Sequence, residues 1–169
     1  MTTERLIGGI TACVDRITVR AGTGPLRHVV LRRWTDPEMW TDGLIEREAA
    51  ALHAVRDQGI AAPRLLGSDA TGQQAGVRAL LMTELPGRVL LAPPDLDHWL
   101  ARLARSHADI HAMECTLSAR SDGWFDPQVD LGWIHDRGLR RDALVTASTQ
   151  LSTEHAVLVH GDYQHFNIL

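Results

Sequence analysis

Hydrophobic and polar positions alternate twice near the start of the chain. Cys13–Arg20 (Cys-Val-Asp-Arg-Ile-Thr-Val-Arg) and Leu26–Trp34 are β-like runs joined by the turn cluster Ala21-Gly-Thr-Gly-Pro25, which predicts a hairpin. The period then changes. Leu44, Ile45, Ala49, Leu52 and Val55 recur at helical spacing, predicting a helix over 42–57 that Gly59 stops. Short strands are expected at 64–68 and 77–85, separated by a polar, glycine-containing turn. Beyond Pro86-Gly87 the pattern becomes helical. Pro93-Pro94-Asp95 opens a stretch running to about Met113, with Asp95 as N-cap and Leu96, Trp99, Leu100, Leu103, Ala104, His107, Ile110 and His111 as its apolar stripe. Residues 118–136 read as a loop, 137–150 as a helix, 156–159 as a short buried strand and Ile168-Leu169 as the start of another. The fold class expected is therefore α+β. A strand-rich part with one helix spans 1–87, and a mainly helical part spans 88–169.

Composition narrows the function. The chain has 169 residues, 44% hydrophobic and 22% charged, with a formal net charge of -4, which is the balance of a globular protein. No basic stretch could gather phosphates, so nucleic acid is not expected as a partner. No apolar run approaches the ~20 residues that span a bilayer, so no membrane partner is expected either. Two cysteines, Cys13 and Cys115, make no disulfide scaffold, and a reducing cytoplasm is the expected location. The chain contains no lysine, so any task usually given to lysine falls to arginine.

The sharpest chemical signal is His160-x-Asp162-x-x-x-x-Asn167, which contains the only asparagine of the sequence. Phosphoryl transfer needs a carboxylate to orient the attacking hydroxyl and accept its proton. It also needs oxygen ligands for the Mg²⁺ that neutralises phosphate charge. An Asp followed five residues later by an amide oxygen can serve both needs. The segment Leu158-Val-His-Gly-Asp-Tyr-Gln-His-Phe-Asn-Ile-Leu169 resembles the catalytic loop of the aminoglycoside phosphotransferase and choline kinase-like family, whose members have the protein-kinase-like fold. The resemblance implies a two-lobed, ATP-dependent phosphotransferase with an antiparallel-sheet N-lobe and a helical C-lobe. It implies Asp162 as catalytic base, Asn167 as Mg²⁺ ligand and His160 as a structural support. ATP and a small hydroxyl-bearing acceptor are the partners expected.

Further positions can be weighed against that resemblance. In such kinases a strand cation pairs the α- and β-phosphates and is held by a helix glutamate. Alternation puts Val30, Arg32 and Trp34 on one face and Val29, Leu31 and Arg33 on the other, which makes Arg32 the candidate cation, Val30 an adenine contact and Arg33 the fallback. At 100° per residue Glu48 lies about 20° from Val55 and about 40° from Leu52, within the apolar stripe, whereas Glu46 lies about 120° from Leu52. A carboxylate on that face needs a partner, and Arg32 is the one expected. Gly9 and Thr11 correspond to the family's phosphate loop, although an ordinary turn serves the Gly-Gly pair equally well. Backbone groups from Thr83 to Leu85 would meet the adenine edge, although a strand ending in a Pro-Gly turn accounts for that segment as well.

His107 and His111 share a helix face but lack the zinc-protease pattern, so packed, hydrogen-bonded core histidines are expected there. Asp122, Trp124, Asp126, Asp130, Trp133 and Asp136 would suit an amino-sugar or polyamine acceptor, or form a solvated acidic loop. The family's second Mg²⁺ carboxylate would lie beyond Leu169. Residues 1–169 are accordingly expected to form an incomplete fragment with little or no turnover of its own. A non-catalytic nucleotide-binding module is one rival. A metal-dependent hydrolase built on His160, Asp162 and His107 or His111 is the other.

Overall fold

A computed structural model describes residues 1–6, 11–20, 22–39, 43–114, 131–148, 157–163 and 167–169. Five strands form one antiparallel sheet: β1 (Thr2–Leu6), β2 (Cys13–Arg20), β3 (Leu26–Trp34), β4 (Leu65–Asp69) and β5 (Arg78–Thr83), in the order β1-β2-β3-β5-β4. The two strands of the expected hairpin begin and end where alternation places them. β1 is short, yet all five of its residues pair with β2, from Thr2 opposite Thr18 to Leu6 opposite Val14. A register shift between Leu65 and Gly67 bends β4 where it meets β5. The turn from β4 to β5 is gathered by one side chain: the Asp69 carboxylate accepts from the backbone N–H groups of Gly72, Gln73, Gln74 and Ala75. Those bonds hold its pKa below the ordinary carboxylate value.

Helix α1 (Leu44–Ala54) packs its Leu44, Ile45, Ala49 and Leu52 against one face of the sheet, where Trp34, Leu80 and Met82 are buried and Val30 and Leu65 are half-buried. Trp34, Ile45 and Leu80 lose essentially all exposure, so the core lies between β3, β5 and this helix. The helix ends before the glycine expected to stop it. Asp57 adopts a left-handed conformation (φ 64°), which Asp tolerates better than most side chains, and it turns the chain ahead of Gly59.

Helix α2 (Leu96–His111) starts at the predicted cap, with the Asp95 side chain accepting from the His98 N–H at 2.9 Å. Of its stripe, Ile110 is buried and Trp99, Leu103, His107 and His111 are half-buried, while Leu96 and Leu100 remain exposed. Helix α3 (Arg137–Ser148) is capped by Asp136, whose carboxylate accepts from the Leu139 N–H at 2.8 Å.

Two expectations at the end of the chain are corrected. Residues 157–159 carry no strand pairing, and Ile168-Leu169 begins no strand. Apolar, β-branched sequence makes a strand only where a neighbouring edge supplies its hydrogen bonds. Leu169 instead lies against Gly87. A Cβ at Gly87 would stand 2.7 Å from the Leu169 Cβ, and with φ at 145° the position suits glycine alone.

The chain divides into two compact units, one formed by Met1–Leu117 with Leu158–Leu169, the other by Ser118–Val157. The sheet, α1, α2 and the Asp162 segment all belong to the first. Among the described residues no helix is long and apolar enough to cross a membrane.

Candidate active site

The site starts from β3. Its pleat sends Val30, Arg32 and Trp34 toward α1. The Arg32 guanidinium donates to Glu48, forming an ion pair between strand and helix, and it also stands 4.9 Å from the centroid of the Trp34 ring. Glu48 sits where the helical spacing puts it, on the core-facing side of α1. Burial pushes its carboxyl pKa up, and the Arg32 charge pulls part of the way back. This acid is tolerable there because a guanidinium meets it. Arg33, on the opposite face, is committed elsewhere: its Nε and Nη2 donate to the buried Asp15 at 3.1 and 2.6 Å, and Arg5 reaches the same carboxylate at 2.8 Å.

A further pair on the Arg32 face was not foreseen. Arg16, which stands opposite Val30 in the β2–β3 register, donates through Nε to Glu84 at 2.8 Å and through Nη1 to Glu4 at 3.2 Å. Once Cys13–Arg20 and Leu26–Trp34 are paired as a hairpin, counting from the turn places Arg16 beside Val30. Glu84 lies two residues past Met82, which also pairs with Val30, so register was the signal that could have found it.

The remaining expected positions divide. Thr11 is half-buried beside the buried Ala12, and Gly9 lies outside the described residues. Val30 is half-buried and packs against the Trp34–Met82 core. The Thr83 N–H donates to the Arg64 carbonyl, and the Thr83 hydroxyl accepts from the Arg64 N–H, both at 2.9 Å. Thr83 thus still belongs to the sheet, and the segment released from it begins at Glu84 and Leu85. Asp122, Trp124, Asp126 and Asp130 lie outside the described residues. Trp133 is exposed, and Asp136 spends its carboxylate on capping α3.

The loop presents the other half of the site. Gly161 has a positive φ of 81°, a turn that separates His160 from Asp162 in direction. Asn167 Nδ2 donates to the Asp162 carboxylate at 2.8 Å and to the Asp162 backbone carbonyl at 3.0 Å. The two side chains singled out by spacing are therefore in direct contact. Partial burial lowers the His160 pKa. Asp162 opposes that shift, while the charges of His107 and Arg32 add to it.

His107 and His111 are packed as expected, but by ring contact. Their centroids are 4.1 Å apart, and His107 also stacks on Tyr163. The His111 Nε2 is buried without a hydrogen bond among the described residues, so the expected hydrogen bonding is absent at that atom. No group of three or more His, Cys, Asp or Glu side chains among the described residues could hold a metal ion.

A cation and a helix acid in the sheet layer, with a carboxylate–amide pair in a loop of the same compact unit, form an arrangement suited to holding polyphosphate and polarising a hydroxyl. The model of a phosphotransferase enzyme family matches residues 13–169. Neither the curated proteins nor the solved structures give a match. With nearly the whole chain covered by that family model, and with the α+β kinase-like sheet and its strand–helix ion pair in place, the chain belongs to the phosphotransferase enzyme family.

Proposed function

We propose that this chain acts in moving the γ-phosphoryl group of ATP to a hydroxyl of a small molecule. The observation that carries the proposal is the Arg32–Glu48 ion pair in the same compact unit as the Asp162–Asn167 pair. Arg32 takes the α- and β-phosphates, and its planar fork suits them at least as well as an ammonium would. Glu48 keeps the guanidinium from collapsing toward solvent and orients it. Asp162 receives the acceptor hydroxyl, aligns its oxygen and takes its proton.

The donor chemistry fits Mg²⁺, which prefers hard oxygen ligands and is commonly held by few protein groups together with phosphate. Both bonds to Asp162 from the Asn167 side chain engage its nitrogen, so the amide oxygen is the atom it would offer, beside the Asp162 carboxylate. When bound, Mg²⁺ neutralises phosphate charge. Thr11 and the segment at Glu84 and Leu85 are the positions proposed to flank the nucleotide, with Val30 beneath it.

Calorimetric titration with ATP, with and without Mg²⁺, tests the reading. Binding should require Mg²⁺ for full affinity and weaken about tenfold or more in Arg32→Ala. ADP formation above the buffer rate should vanish in Asp162→Asn. Absence of ATP binding, or equal binding by wild type and Arg32→Ala, defeats the proposal.

A further inference from the structure

Tyr163 follows Asp162 directly, and its side chain reaches back to helix α2. The phenol O–H donates to the backbone carbonyl of Leu103 at 2.7 Å, across 60 residues of sequence. The ring stacks on His107, with centroids 4.4 Å apart and planes 25° from parallel. His160, on the other side of Asp162 in sequence, meets the same ring edge-on at 5.5 Å and 78°. His107 in turn packs against His111 one helical turn on. Leu103 and His107 are four residues apart, so they share one face of the helix. The tyrosine is therefore gripped along that face at its hydroxyl and at its ring.

The Asn167 bond sets the mutual geometry of Asp162 and Asn167 within the loop. The Tyr163 contacts do something different, because they tie the loop to a helix. Tyrosine suits this task physically. It offers a large flat surface, has few side-chain torsions to freeze, and carries a polar tip that needs a partner when covered. The mid-helix carbonyl has a second lone pair to offer beyond its helical bond. Displacement of a reacting group by about 1 Å can cost two orders of magnitude in rate, so a fixed origin for the loop matters to the chemistry.

We propose that Tyr163 and His107 are positioning residues, a hydrogen bond plus a ring stack that lock the Asp162–Asn167 loop to helix α2. Their catalytic purpose rests on the phosphotransfer reading above; the lock itself does not.

The test uses the whole chain and three variants. Tyr163→Phe removes the hydroxyl and keeps the ring, His107→Ala removes the stack, and His107→Phe keeps a flat ring. The first readout is amide hydrogen exchange over 158–169. Tyr163→Phe and His107→Ala should exchange about tenfold faster there, with β2, β3 and β5 unchanged, and His107→Phe should restore most of the protection. Tyr163 is the only tyrosine of the chain, so the Raman doublet of its ring also reports directly whether the phenol donates. Equal exchange in wild type and Tyr163→Phe, or a Raman signature of a phenol that does not donate, overturns the lock. So does a His107→Phe variant as fast-exchanging as His107→Ala.

The second readout is ADP formation from Mg²⁺ and ATP, with water in place of the unidentified acceptor. Tyr163→Phe should lower the residual kcat of the chain, small as it is expected to be, about tenfold with KM for ATP within about twofold. An unchanged kcat overturns the positioning role. A wild-type chain that neither binds nor turns over ATP overturns the phosphotransfer reading and the catalytic purpose with it, while the exchange result still decides the lock.

Discussion

Arg32 and Arg33 are neighbours in one strand, and their side chains are almost equally exposed, 30% and 32%. Their surroundings nevertheless differ in kind. Arg32 meets Glu48, an acid from a helix that must dock on the sheet before the pair exists. Arg33 meets Asp15, a nearly fully buried acid from the adjacent strand, which also takes Arg5. The Arg33 cluster is internal to the sheet and needs only strand pairing. The Arg32 pair joins two layers, the sheet and helix α1. One face of β3 thus spends its charge on holding three strands together, and the other spends it on joining the sheet to a helix. Identical residue types acquire different jobs because a pleated strand sends neighbours in opposite directions.

The largest expected effect separates the two faces by function. Arg32→Ala should weaken Mg²⁺–ATP binding about tenfold or more, whereas Arg33→Ala should leave it within about threefold. Calorimetric titration of the two variants checks this, and equal losses would erase the distinction. Stability should show the reverse order. Asp15→Ala strands two guanidiniums beside a covered site and should cost about 2 kcal/mol. Glu48→Gln removes a charge that burial already disfavours and should cost less than about 1 kcal/mol. Denaturant unfolding at neutral pH measures both, and a Glu48→Gln chain less stable than Asp15→Ala contradicts the comparison.

Titration sharpens the contrast further. The Glu48 carboxyl is raised above its ordinary value of 4.5, so the native state binds its proton more readily than the unfolded state does. Its charged form therefore penalises folding above the raised value. That penalty should fade as pH drops through the raised value toward the ordinary one. Wild type should therefore gain stability relative to Glu48→Gln across the same window, so the small cost of the substitution should grow as pH falls, and a constant difference would contradict the sign.

The smallest effect concerns the loop. His160 is lowered from its ordinary value of 6.5, so the unfolded chain binds its proton first. Protection of the loop in hydrogen exchange should be full above the ordinary histidine value. It should decline as pH falls through that value toward the lowered one. His160→Gln should flatten that decline.

Much of this was legible from residue order. The hairpin, Asp95 as a cap, and the placement of Glu48 on the buried side of α1 all follow from local periodicity and capping chemistry, which act over a few residues. The contact between Asp162 and Asn167 was announced by the motif that singled the two residues out. The elements that escaped are those decided by distant partners. Residues 157–159 look like a strand yet pair with nothing described. Thr83 was read as offering its backbone to an adenine edge, yet its N–H is held by Arg64. Asp136 looked like part of an acceptor loop, yet it caps a helix.

The amino-acid sequence by itself determined the hairpin, the helix faces, the identity of the cation and acid on one stripe, and the Asp–Asn spacing, because short-range sterics and burial act directly on each residue. Only the tertiary structure decided that Arg16 is shared by Glu84 and Glu4, that Arg33 joins Arg5 on Asp15, and that Tyr163 reaches Leu103 and His107 on α2. Those contacts join side chains on different strands, or a loop to a helix face. Their pairing depends on register and docking, which no local pattern encodes.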